Sequence, residues 1–111
     1  MNAYKPMPER DDQGYLLDPG DWTPELAREL AAGEGLELDD EHWLVIDFIR
    51  EYHDAHQITP DIRHAAKHLG ELTGRDKKQG KARIFELFPY GYVKQACKIA
   101  GMRRPRAWST G

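Results

Sequence analysis

The chain has a single cysteine, Cys97, and by residue type it is the best candidate for covalent chemistry. One cysteine can form neither an intrachain disulfide nor a cysteine-built zinc cage. Two readings of it stand side by side. Val93, Ala96, Cys97 and Ala100 fall on one helical face, which suits a small buried hydrophobe. Lys94 and Lys98 lie within one turn of it, and ammonium groups there would stabilise a thiolate and make the sulfur nucleophilic.

The five histidines offer little more. His53 and His56 are three apart and His64 and His68 four apart, so either pair shares a helical face. Neither has further ligands in register, and the residues between His64 and His68 are Ala65, Ala66 and Lys67, with no zinc-protease glutamate. We therefore expect no metal site. The only serine, Ser109, is not in a Gly-x-Ser-x-Gly elbow, and Gly70, Gly74 and Gly80 match no phosphate-binding loop. No cofactor is expected.

These residues must be positioned by helices. Thr23-Pro24 is a cap followed by proline at the first helical position, and Leu26, Ala27, Leu30 and Ala31 recur at helical spacing as far as Gly33 and Gly35. Asp39 or Asp40 caps a second helix that carries Trp43, Ile46, Phe48, Ile49 and Tyr52 and fades at His56-Gln57. Thr59-Pro60 repeats the cap-plus-proline start for a short helix that stops near Gly70. Residues 71–80 read as a polar loop, Ala82 to Phe88 as another helix, and Tyr92 to Ala100 as the last, ended by Gly101. Residues 1–22 are rich in Pro, Gly and Asp around Tyr15-Leu16-Leu17, which suggests a small β-hairpin or meander. Residues 102–111 lack periodicity and read as a flexible arm. The helix that starts at Thr59 and the next one resemble a helix-turn-helix, with Lys81 and Arg83 at the front of the second, so DNA is one candidate partner.

The net charge of −3 hides a split. Residues 1–60 hold four Lys/Arg against fifteen Asp/Glu, and residues 61–111 hold twelve against four. Such a basic half suits an acidic protein partner or nucleic acid, or simply attraction between the two halves. No apolar run is long enough to span a bilayer and the start lacks a signal pattern, so the expectation is a cytoplasmic protein without membrane contact.

An ordered string of residues resembles the DsrC/TusE family, the small partner of dissimilatory sulfite reductase and its tRNA-thiolation relative. It comprises Gly14-Tyr15-Leu16, Trp22, Leu36-Glu37-Leu38, Glu41-His42-Trp43, Phe48-Ile49-Arg50-Glu51-Tyr52 and Pro60-x-Ile62-Arg63. It continues with Leu87-Phe88-Pro89-Tyr90-Gly91, Lys94-Gln95-Ala96-Cys97-Lys98-Ile99-Ala100-Gly101 and Pro105. The resemblance implies an α+β fold. A small N-terminal β-meander (1–22) would pack on an array of about five helices (23–101) that includes a helix-turn-helix-like pair, with a flexible arm at 102–111. It implies a cytoplasmic sulfur carrier that docks on a sulfurtransferase complex or a dissimilatory sulfite reductase-like protein. Such a protein is at most a carrier, without turnover of its own.

In that family the arm carries a penultimate cysteine that accepts sulfur, and many members have a second cysteine eleven residues earlier that can link to it through sulfur. Here Cys97 aligns with the earlier cysteine, and Trp108 stands at the arm position. An indole only donates a hydrogen bond and cannot carry sulfur. The family's Gly-Pro-Ala-Lys is Gly91-Tyr92-Val93-Lys94 in this chain, and Arg103, Arg104 and Arg106 make the arm basic. Two roles follow. In one, the chain is a docking or regulatory member that binds its partner through Lys94, Lys98, Arg103, Arg104, Arg106 and Trp108. In the other, Cys97 itself serves as the persulfide thiol.

Overall fold

A computed structural model describes residues 8–104. Four α-helices dominate: α1 (Pro24–Gly33), α2 (Asp40–His56), α3 (Ile62–Thr73) and α4 (Lys77–Leu87). A short π-helical segment, Tyr92–Cys97, follows and runs on into residues 98–99. Each α-helix starts where a side chain captures free backbone N–H groups. Thr23 accepts from Leu26, Asp39 from Glu41 and His42, Asp61 from Arg63, and Asp76 from Gln79.

The expected α+β class is not what the chain adopts. Among the described residues there is no hairpin and no sheet, only one antiparallel bridge between Arg10 and Leu16. The reason is local competition for backbone donors. The Asp11 carboxylate accepts from the N–H groups of Gln13 and Tyr15, which closes a tight turn in place of a ladder. Downstream, Asp18 caps a single 3-10 turn at Pro19–Asp21. Tyr15 and Leu16 still reach the core, but from a turn.

The third helix also differs from expectation at both ends. It begins at Ile62, capped by Asp61, while Pro60 is buried and offers its carbonyl to the Tyr92 hydroxyl at 2.6 Å. It passes through Gly70 to Thr73. The polar stretch 71–80, expected to be a loop, is mostly helix, with only residues 74–76 between α3 and α4. Gly70 and Gly80 act here as contact points, not as breakers. A Cβ on Gly80 would lie 2.3 Å from the Ala66 carbonyl oxygen, and one on Gly70 would lie 2.6 Å from that of Arg75.

The core collects the inner faces of these elements: Leu26, Ala27, Leu30 and Ala31 of α1, Val45, Ile46 and Ile49 of α2, Ala65, Ala66 and Leu69 of α3, and Ile84 and Leu87 of α4. Phe88, Tyr92, Ala96, Cys97, Ile99, Ala100 and Met102 complete it. Glu41 at the start of α2 ties the α3–α4 turn and α4 to this core. Its carboxylate accepts from Arg83 at 2.8 Å and from Arg75 at 3.0 Å. The Arg83 hydrogen bond is the main cause that holds this carboxyl below its usual pKa, with Arg75 adding to it against the opposing effect of burial.

A depressed carboxylate contributes stability above its unfolded value and loses it as the pH falls through the folded one. Glu41→Gln is therefore expected to cost about 1.5 kcal/mol at neutral pH. Urea melts of the two proteins should converge as the pH drops below 4.5, the ordinary value of this group.

Candidate functional site

Cys97 ends the π-helical segment, and its position follows from the chain around it. Gly91 enters with φ 103°, a conformation that suits glycine, and its carbonyl accepts from both Gln95 and Ala96. The wider i→i+5 spacing recurs where Met102 N–H reaches the Cys97 carbonyl at 3.0 Å. No side chain of the preceding residues caps this segment. Gln95, itself buried, folds back so that its Oε1 accepts from the Tyr90 N–H at 3.0 Å and its Nε2 donates to Glu34 at 2.7 Å.

The Cys97 thiol is fully buried. Burial pushes its pKa up to about 12, outweighing an opposite pull from the neighbouring Tyr92 hydroxyl. The Tyr92 hydroxyl donates its one proton to the Pro60 carbonyl. The lysines expected to activate the thiol do not. Lys98 lies 3.9 Å from Glu34 and over the Tyr15 ring at 5.1 Å, and Lys94 is exposed on the outer face.

Just beyond Cys97 the chain is held by a clamp that sequence reasoning did not assemble. Trp22 donates its indole N–H to the Ile99 carbonyl at 2.8 Å. Arg50 donates to the Ala100 carbonyl at 3.1 Å, with its guanidinium 4.4 Å from the centre of the Trp22 ring. Gly101 has φ 83°, and a Cβ there would meet Trp22 Cδ1 at 2.4 Å. Helix-terminal carbonyls that lack intrahelical partners are thus satisfied by one aromatic and one cationic side chain. Trp22→Phe removes the indole donor and leaves the Ile99 carbonyl without it. We expect a loss of about 1 kcal/mol in urea unfolding with the helical circular dichroism retained.

The expected binding residues do not form one cluster. Met102 is buried in the core, and Arg104 turns back to Asp12 at 3.4 Å and Asp11 at 3.7 Å. Arg103 and Lys94 are exposed, Lys98 is engaged by Glu34, and Arg106 and Trp108 lie outside the described residues. Among the described residues no group of His, Cys, Asp and Glu is arranged to hold a metal ion, and no helix is long and apolar enough to cross a membrane. His64 and His68 stack on Tyr52 and Phe48 instead, with ring centres 5.5 and 4.5 Å apart.

The DNA reading loses its key side chain. Arg83, expected at the front of a recognition helix, is bound by Glu41 and by Glu86 at 3.1 Å. The signal for both the clamp and the Glu41 pairing was present only as scattered single residues, which carry no sequence pattern of their own.

Comparison with known proteins shows what this chain is similar to. A family model described as "DsrC like protein" matches residues 4–107. Sulfurtransferase TusE of Buchnera aphidicola subsp. Schizaphis graminum is 43% identical over 97 residues, which is 87% of this chain and 84% of that protein. A sulfurtransferase TusE homolog of Haemophilus influenzae is 42% identical over 98 residues, 87% of this chain and 88% of its own length.

Among solved structures, the oxidized gamma-subunit of the dissimilatory sulfite reductase (DsrC) from Archaeoglobus fulgidus superimposes with a TM-score of 0.80 at 32% identity, covering 90% of each chain. Allochromatium vinosum DsrC superimposes with a TM-score of 0.75 at 41% identity, covering 89% of this chain and 88% of that one. None of these four is named as a DNA-binding protein. With a family model spanning nearly its whole length and relatives above 40% identity, the chain belongs to the DsrC-like family.

Proposed function

We propose that this chain works in cytoplasmic sulfur relay as a docking or regulatory member, not as the carrier of the sulfur. The observation that carries the reading is the burial of Cys97. The chain's only thiol is enclosed by the core, with its pKa raised to about 12. Sulfur transfer needs a thiolate that can reach a donor persulfide, and this sulfur meets neither condition. At the position eleven residues on, where the family carries its arm thiol, stands Trp108. Trp and Arg are over-represented at binding hot spots, so Trp108 beside Arg106 suits an anchor in a partner pocket. The names of the relatives and structural neighbours support a sulfurtransferase complex or a sulfite reductase-like protein as the class of partner.

The competing carrier role draws on the Tyr92 hydroxyl, whose contact with Cys97 opposes the burial effect. It fails on access. The test is intact mass after incubation with polysulfide, with Cys97→Ser alongside and a cysteine-armed relative as positive control. We expect no gain in mass. A gain of sulfur that dithiothreitol reverses, and that Cys97→Ser lacks, would make this a relay thiol and overturn the docking assignment.

A further inference from the structure

Residues 8–22 form no regular element beyond one bridge and one 3-10 turn, yet their polar contacts have a single destination. Among the described residues, every hydrogen bond and ion pair that leaves this segment ends on residues 93–104. The Tyr15 hydroxyl donates to the Val93 carbonyl at 3.2 Å, and the Trp22 indole donates to that of Ile99. Asp11 and Asp12 hold Arg104 at the far end. Lys98 lies over the Tyr15 ring, and Trp22 packs so closely on Gly101 that a Cβ there would meet its ring. The segment is thus fastened at three places along the stretch that contains Cys97.

Two features set it apart from a helix packed on the core. Its backbone bonds close locally, Asp11 to Tyr15 and Leu17 to Glu9, so lifting it breaks no helix. Between Asp11 and Trp22 only Tyr15 and Leu16 are buried. Few buried apolar side chains and no long ladder are the marks of a unit that opens below the free energy of global unfolding. Tyr15 also stands near the thiol: after burial, Cys97 is the main cause that raises the tyrosine's pKa.

We propose that residues 11–22 are a releasable strap over the C-terminal segment. Closed, the strap seals Cys97 and fixes the chain as far as Arg104. Released, it opens the thiol to solvent while α1 to α4 stay folded. The released state is minor, so the thiol remains withdrawn at equilibrium. The strap is a property of this chain alone and stands apart from the docking role of the C-terminal residues.

The test is alkylation of the full chain by excess iodoacetamide, followed by intact mass from zero urea up to the unfolding transition. The reaction is irreversible and so collects every opening. We expect a rate that is nearly flat at low urea and steepens only as global unfolding sets in, because a small opening exposes little surface. Tyr15→Phe and Arg104→Gln each remove one tie. Each should speed labelling without urea by about three- to fivefold, and together by about tenfold.

Glu41→Gln supplies the contrast, since it loosens α4 from α2 through Arg75 and Arg83, none of which touches the strap. It should lower the urea midpoint yet leave the rate without urea within about twofold of wild type. Labelling no faster than global unfolding allows, and accelerated by Glu41→Gln without urea, would overturn the proposal. So would a local opening that neither Tyr15→Phe nor Arg104→Gln accelerates.

Discussion

Gly80→Ala is expected to destabilise this protein by about 3 kcal/mol, the upper range for overpacking a rigid contact. The sign is the opposite of the usual one. In an exposed helix interior, alanine in place of glycine gains about 1 kcal/mol, because the unfolded chain loses freedom and the helix gains propensity. Gly80 is in α4, but its Cα faces α3 so closely that a methyl group would lie 2.3 Å from the Ala66 carbonyl oxygen. That neighbour is backbone within a helix and cannot rotate aside. The two helices would have to separate, opening the contacts among Ala65, Ala66, Leu69 and Ile84 that they share with the core.

Gly33 supplies the control. It too is helical, but a Cβ there would have nothing within 4 Å. Gly33→Ala should leave stability unchanged or raise it by up to about 1 kcal/mol. Urea unfolding of the three proteins checks both signs, and a Gly80→Ala midpoint equal to wild type would refute the close crossing of α3 and α4.

The second large effect concerns Cys97. Its pKa rises from 9.0 to about 12 on folding, so the thiolate fraction near neutral pH falls roughly thousandfold relative to the unfolded chain. Alkylation by iodoacetamide in the native state should be slower than in urea by orders of magnitude, since burial also blocks approach.

The same shift makes stability depend on pH in a defined direction. The folded state keeps a proton that the unfolded state releases, so stability falls as the pH rises above about 9. Tyr92 and Tyr15, whose pKa values burial also raises, contribute in the same sense. Comparing the alkaline loss in wild type and Cys97→Ala isolates the share that belongs to sulfur. Fast labelling of the native thiol would contradict the site described above.

How much of this was legible beforehand depends on how far each signal reaches along the chain. Helix α1 starts after Thr23 and α2 after Asp39, as the sequence indicates, because a cap acts on N–H groups two or three residues away. Asp61 and Asp76 are caps of the same kind. Neither stands out in the sequence, because Thr59-Pro60 and the glycines offer rival punctuation nearby. Gly70 and Gly80 show why. A glycine that breaks a helix and a glycine that lets two helices touch look identical until the second helix is in place. The N-terminal meander failed for the reverse reason. Asp11 satisfies its turn locally, so among the described residues pairing stops at the single Arg10–Leu16 bridge.

The resemblance string already contained Trp22, Arg50 and Gly101, but as separate matches. Their meeting at the Ile99 and Ala100 carbonyls spans 77 and 50 positions of chain. By itself, the sequence determined the starts of α1 and α2, the family resemblance and the fact that Cys97 is the only thiol, because composition, periodicity and capping are properties of neighbouring residues. The tertiary structure alone decided that the thiol is buried. It decided too that Lys98 serves Glu34 and not sulfur, and that Arg83 serves Glu41 and not a phosphate. Burial and ion pairing depend on which distant residues the packed core brings within a few ångströms, and no local pattern encodes those distances.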